Sequence, residues 1–221
     1  MGEISPFLLY LYVLKPIKMK KILSSVLVAS LMLLTTSAFA QFSIGAGYVN
    51  SKTTLSSGSS TYSAPSNGFY AGFDYNVPVG DILGLSAGVN FEYLMSKDYK
   101  LGGVISGDYK EQYINVPVRI NAGMNFGDGI RFLVFAGPTF SYGLAGQWEA
   151  GAGPVSLKGD VYKDNGWNRF DVLVGGGAGL ELMNKIRLTV GYDLGMFNKL
   201  PEDSNDKVNR NRLHAGIALL F

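Results

Sequence analysis

Arg212-Leu213-His214-Ala215-Gly216-Ile217-Ala218-Leu219-Leu220-Phe221 closes the chain with a two-residue alternation. Leu213, Ala215, Ile217, Leu219 and Phe221 share one face, and Arg212, His214, Gly216 and Ala218 share the other, because successive strand side chains point to opposite sides. The same pattern runs through 186–195, where Ile186, Leu188, Val190, Tyr192 and Leu194 oppose Arg187, Thr189, Gly191, Asp193 and Gly195. It recurs in 130–142, with Ile130, Phe132, Val134, Ala136, Phe140 and Tyr142 against Arg131, Gly137, Thr139 and Ser141. Each segment therefore has one greasy face and one face of glycine and sparse charge. A soluble sandwich would expose charge and hydroxyls, and glycine on a solvated face would weaken a strand for no gain. Inside a narrow closed barrel, small residues instead leave room for a few long charged side chains, and the greasy face meets lipid.

Outward from this stretch, eight segments near 42–51, 67–78, 82–95, 110–124, 130–143, 167–182, 186–198 and 210–221 carry the alternation. The links 79–81, 125–129 and 183–185 are short and rich in turn residues. Those at 52–66, 96–109, 144–166 and 199–209 are long and polar. Alternating short turns and long loops fit a transmembrane barrel. The fold class is thus all-β: a single closed, antiparallel, up-and-down transmembrane β-barrel of about eight strands, with both ends of the mature chain on the periplasmic side.

The first forty residues read as an export signal. Lys18, Lys20 and Lys21 precede the apolar run Ile22–Leu34, and Ala38-Phe39-Ala40 supplies the cleavage pattern, with the cut after Ala40. A run of thirteen mostly apolar residues is too short for a transmembrane helix, which needs roughly 20. Residues 1–18 carry a second apolar patch, and Met19 makes a more ordinary start, so 1–18 reads as an over-extended start. The domains are 1–40, signal peptide, and 41–221, barrel.

Composition excludes several functions. With Cys 0 there is no disulfide framework, thiolate site or lipid-anchored cysteine. Of 19 Lys+Arg and 17 Asp+Glu, four and one lie in 1–40, so the mature chain holds 15 and 16, a net of −1. Nothing in that balance points to nucleic acid. Gly175-Gly176-Gly177-Ala178-Gly179 lacks the spacing of a nucleotide loop and reads as tight wall packing. Glu202, Asp203 and Asp206 lack calcium-loop spacing and read as a solvated tip. No cofactor, metal or catalytic set is expected.

Parity turns Asp74, Glu92, Arg119, Arg131, Arg169, Asp171, Glu181, Arg187, Asp193, Arg212 and His214 to the lumen. An eight-stranded barrel is just wide enough for side chains to fill it, and buried charges must pair, so these residues predict an ion-pair plug. A thin wet path, making the chain a narrow channel or transport component, is the alternative. A lipid-modifying enzyme is the weaker one: His214 is the sole histidine, but it has lumenal parity and no serine partner in the sequence. Phe69, Phe91, Tyr93, Phe140, Tyr142, Phe170 and Tyr192 should ring the outer rim, and Tyr75, Phe132 and Phe221 the periplasmic one. Pro117 and Pro138 cannot donate to the ladder and should sit beside bulges or local breaks.

The ending Leu219-Leu220-Phe221 resembles the terminal signal that insertion machinery reads in outer-membrane barrels, with Leu219 and Phe221 as its apolar anchors. Gln112-Tyr113-Ile114-Asn115-Val116-Pro117-Val118-Arg119 resembles the Tyr-x-x-x-Pro-hydrophobic strand of the PorT-like outer-membrane β-barrel family. The resemblance covers 41–221 and implies a fold, a place in the bacterial outer membrane and a hint of transport or secretion-associated work. It brings no catalytic residues. The expected partners are outer-membrane lipid, the barrel-assembly machinery, and an extracellular ligand at loop 144–166, which carries Trp148 and Tyr162. Intact-mass measurement of the protein from outer membranes is expected to give a chain beginning at Gln41; a chain retaining Lys18–Ala40 contradicts the processing.

Overall fold

The computed structural model of the protein describes residues 41–101, 105–152, 155–164, 166–201 and 206–221. The export signal expected at 1–40, and Glu202 and Asp203, lie outside the described residues. Among the described residues nine strands follow in order: β1 Gln41–Ser57, β2 Ser60–Val79, β3 Leu83–Leu101, β4 Ile105–Asn125, β5 Ile130–Ala152, β6 Val155–Asp160, β7 Phe170–Leu182, β8 Ile186–Gly195 and β9 Lys207–Leu220. All pairings are antiparallel. The order β4-β3-β2-β1-β9-β8-β7-β5 returns to its start through a β4–β5 pairing, so eight strands make a closed ring. β6 is a ninth, short strand paired only to the far end of β5.

The alternation works as the sequence requires. Leu213, Ile217, Leu219, Leu188, Val190 and Leu194 are exposed on the outer wall, whereas Glu92, Asp193 and Arg210 are fully buried inside. Small lumenal residues make the room. A β-carbon on Gly191 would lie 2.6 Å from His214 Nε2, and one on Gly47 would lie 2.7 Å from a ring carbon of Tyr70.

Aromatics gather at two levels of the outer wall. Tyr48, Phe69 and Tyr93 face one another across β1, β2 and β3, and the Phe69 and Tyr93 rings stack with centroids 5.7 Å apart. Toward the short turns, Phe42 lies 6.0 Å from Phe73 and 6.3 Å from Phe221. Six residues separate Phe42 from Tyr48, about 20 Å along a strand.

Pro117 and Pro138 sit at interruptions, as their missing amides demand. The β4–β5 register skips from Pro117↔Thr139 to Ile120↔Ala136, and the β3–β4 register skips from Ala87↔Val118 to Asn90↔Asn115. The ring stays closed around both, so the eight-strand count holds.

The long links differ from expectation. Residues 52–57 and 60–66 are strand, joined by a two-residue turn at Gly58 and Ser59, with Gly58 at φ 56°. Most of 96–109 is strand as well, and 144–166 contains the end of β5 and all of β6. These segments were read as loops because they are polar. Polarity, however, excludes a strand from hydrocarbon, not from water, and Thr53, Thr54, Thr61 and Tyr62 are good strand formers. The sixth segment also begins at Phe170 rather than 167, and the seventh ends at Gly195 rather than 198.

The result is a barrel with a tall side. β1 to β5 run 17, 20, 19, 21 and 23 residues, whereas β8 runs 10, close to the 9–11 or so that span a bilayer. Above the aromatic level the wall parts into two blades. β2 and β3 stop pairing beyond Asn67↔Met95, leaving β9-β1-β2 on one side and β3-β4-β5-β6 on the other.

Candidate functional site: the charged lumen and its mouth

The lumen is filled by ion pairs in tiers along the barrel axis. Nearest the short turns, Glu181 binds Arg187 at 2.6 Å and Arg131 at 3.5 Å, and Arg187 also donates to Gln41. In the middle, Asp193 accepts from Arg119 at 2.8 Å and from Arg212 at 2.5 Å. Arg119 additionally donates to the carbonyl of Gly137 and to Thr139. The unpaired β4–β5 step beside Pro117 and Pro138 leaves that carbonyl open to the guanidinium.

Glu92 joins the middle tier to the next. It accepts from Arg212 at 2.8 Å, from Arg210 at 3.1 Å and from Asn115 at 3.1 Å. Arg210 goes on to Ser141, and its guanidinium carbon lies over the Tyr113 ring, 3.8 Å from the centroid. A carboxylate held by two guanidiniums and an amide has its lone pairs met, the condition for tolerating charge away from water.

The mouth at the long-loop end is closed by the links. The Tyr113 hydroxyl donates to Glu111 and accepts from Lys199 Nζ at 2.5 Å, and Lys199 Nζ is 3.5 Å from Glu111 Oε1. Lys199 lies against the Tyr113 and Trp167 rings, 4.9 and 5.4 Å from their centroids. Burial pushes its ammonium below its ordinary value, and Glu111 pulls the other way. Tyr162 is buried beside it, with Arg169 stacked 4.5 Å from the ring centroid. Asp160 fixes the strap that carries Tyr162, accepting from the amides of Tyr162 and Lys163. Asn198 pins the facing link, accepting from the amides of Leu200 and Val208 and donating to the Asp206 carbonyl.

Of the eleven residues that parity placed in the lumen, Glu92, Arg119, Arg131, Glu181, Arg187, Asp193 and Arg212 form the ion-pair ladder. His214 is adjacent, its Nε2 3.6 Å from Asp193 Oδ2, with Tyr70 edge-on to the ring. Asp171 is buried, but among the described residues no ion pair within 4.0 Å involves it or Asp74. Asp74 and His214 both line a lumenal cavity of ≈ 120 Å³ between the lower and middle tiers, with Tyr70, Arg119, Arg187 and Arg212. Arg169 is the correction. It sits before β7 at the mouth and donates to the carbonyls of Gly143 and Leu144 rather than to a carboxylate. It lies outside β7, which begins at Phe170, so the strand period does not reach it.

Three members of the network were not foreseen: Glu111, Lys199 and Arg210. Glu111 and Arg210 share parity with Tyr113 and Arg212, so the two-residue period was the available signal. Lys199 lies on a link and had none. Replacing Glu92 with Ala, which leaves Arg210 and Arg212 buried without their shared anion, is expected to cost about 3–5 kcal/mol. Lys158→Ala breaks the exposed Lys158–Glu149 pair and should cost less than about 1 kcal/mol. Both are read as shifts in urea unfolding of the detergent-solubilised barrel; equal effects contradict the network.

A family model described as "Outer membrane protein beta-barrel domain" matches residues 35–200. No curated protein sequence matches the chain. Among solved structures, Ail, the attachment invasion locus protein of Yersinia pestis, is similar at 16% identity, covering 82% of this chain and 99% of that one, with TM-score 0.45. Neisserial surface protein A is similar at 15% identity, covering 80% and 96%, TM-score 0.42. The outer membrane enzyme PagL is similar at 13% identity, covering 80% and 97%, TM-score 0.41.

Proposed function

The chain belongs to the outer membrane protein beta-barrel domain family, and from that premise we propose that it is a closed, non-enzymatic barrel that works through the two blades at its long-loop end. It is an integral protein of the bacterial outer membrane. The observation that carries the reading is the lumen. From Glu181 to Lys199 it is occupied by paired charges and then capped by Tyr162 and Trp167, so the interior is a structural plug and not a pore.

A closed tube has only its outer wall and its ends to act with. The wall meets acyl chains, the lipid partner that the aromatic levels imply. The blades run past what a bilayer needs and carry exposed Tyr62 and Leu157. The β5–β6 hairpin, within 144–166, is the first place to seek an extracellular ligand. Leu219 and Phe221 point outward from β9, where assembly machinery could read them before the strand closes.

A PorT-like relationship is supported by the lumenal set Tyr113, Asn115, Pro117 and Arg119, which lies on one face of β4. A lipid-modifying role finds less support: His214 faces Asp193 inside the lumen, away from the lipid wall where an acyl substrate would lie.

Planar-bilayer recording tests the plug. The wild-type barrel is expected to show no large, steady conductance, and trypsin added to intact cells is expected to cut at Lys158. Stable open-channel current overturns the plug, and protection of Lys158 overturns the outward placing of the blades.

A further inference from the structure

Lys199 breaks the usual rule for a lysine at the edge of a fold. Its four-carbon stem normally lies along apolar surface while the ammonium reaches out to water. Here the residue sits on the link between β8 and β9, at the long-loop end, yet the whole side chain is buried and the ammonium points inward. Sequestering an unpaired ammonium away from water is costly, so the surroundings must be built to receive one. They are: a hydroxyl oxygen at 2.5 Å, a carboxylate at 3.5 Å and two aromatic faces at 4.9 and 5.4 Å. These are the groups that recognise ammonium ions elsewhere.

The site is also rigid without Lys199's head. Tyr113 is clamped between its bond to Glu111 and the guanidinium of Arg210. The lysine's backbone is tied on both sides, its amide to the Val208 carbonyl at 2.9 Å and its carbonyl to the Asn168 amide at 2.7 Å. Every polar contact to Lys199 beyond its backbone is made to Nζ.

We infer that Tyr113, Glu111 and Trp167 form a binding site for a primary ammonium at the long-loop mouth, filled in this chain by its own Lys199. The ligand class is an alkylammonium: a compact, three-donor cation on an apolar stem. A guanidinium is disfavoured because Arg210 already covers the Tyr113 ring. The inference goes beyond the surface reading above and stands whether or not the blades bind a partner.

Lys199→Ala removes three methylenes and the amine, the outline of n-propylammonium, and leaves the Glu111 carboxylate without its cation. The heat-induced gel-shift midpoint of this variant is expected to fall below that of the wild type. n-Propylammonium chloride is expected to raise it saturably, while sodium chloride and 1-propanol at equal concentration do not. The wild type, its site occupied, should not respond. Rescue no better than sodium chloride, or equal in the wild type, overturns the site. Lys199→Met, which keeps the stem, serves if the alanine variant does not assemble: it should be destabilised and not rescued, and full stability overturns the inference. In the unaltered protein, Lys199 should be acetylated only as the barrel opens, whereas labelling as fast as at Lys52 and Lys158 also overturns it.

Discussion

A sheet that crosses hydrocarbon cannot leave a backbone amide or carbonyl facing acyl chains, so it must close on itself. The β4–β5 pairing is where this chain meets that constraint, and the rest of the structure follows from it. Closure with eight strands fixes a narrow interior. Whatever side chains alternate inward must fill it without leaving charge unpaired, and whatever alternate outward must be greasy. Glycine and long charged residues are then two halves of one solution. Gly191 and Gly47 yield the volume that His214 and Tyr70 occupy.

The same constraint explains why the ion pairs form a connected series and not isolated couples. Arg212 bridges Asp193 and Glu92, and Glu92 bridges Arg212 and Arg210, so β3 is locked across the middle of the barrel to β8 and β9, with which it shares no ladder. Cutting one member strands its neighbours in a place where water cannot compensate them. Above the membrane level that demand lapses. There the chain spends its polar strands on two blades, and the links fold inward to close the mouth.

The parity of the wall was legible in the sequence because period two survives in every membrane-spanning strand, as Leu213-Ala215-Ile217-Leu219 shows. The proline interruptions were legible for an equally local reason, the missing amide. The heights of β1 to β5 were not. Ser60-Thr61-Tyr62-Ser63 is polar, and hydropathy cannot tell a solvated strand from a loop. Glu111 and Arg210 fell at the margins of segments whose alternation was otherwise followed, and extending the period by one step would have found them. Lys199 and Trp167 meet only through tertiary folding of two links, with no spacing in the chain to announce it.

Site-directed spin labelling along β9 tests the orientation of the wall most directly, since the cysteine-free chain allows single cysteines at each position from 212 to 219. In bilayers, labels at Leu213, Ala215, Ile217 and Leu219 should collide readily with lipid-dissolved oxygen. Labels at Arg212, His214, Gly216 and Ala218 should be immobile and shielded from it. An alternation of the opposite phase, or none, would contradict the account.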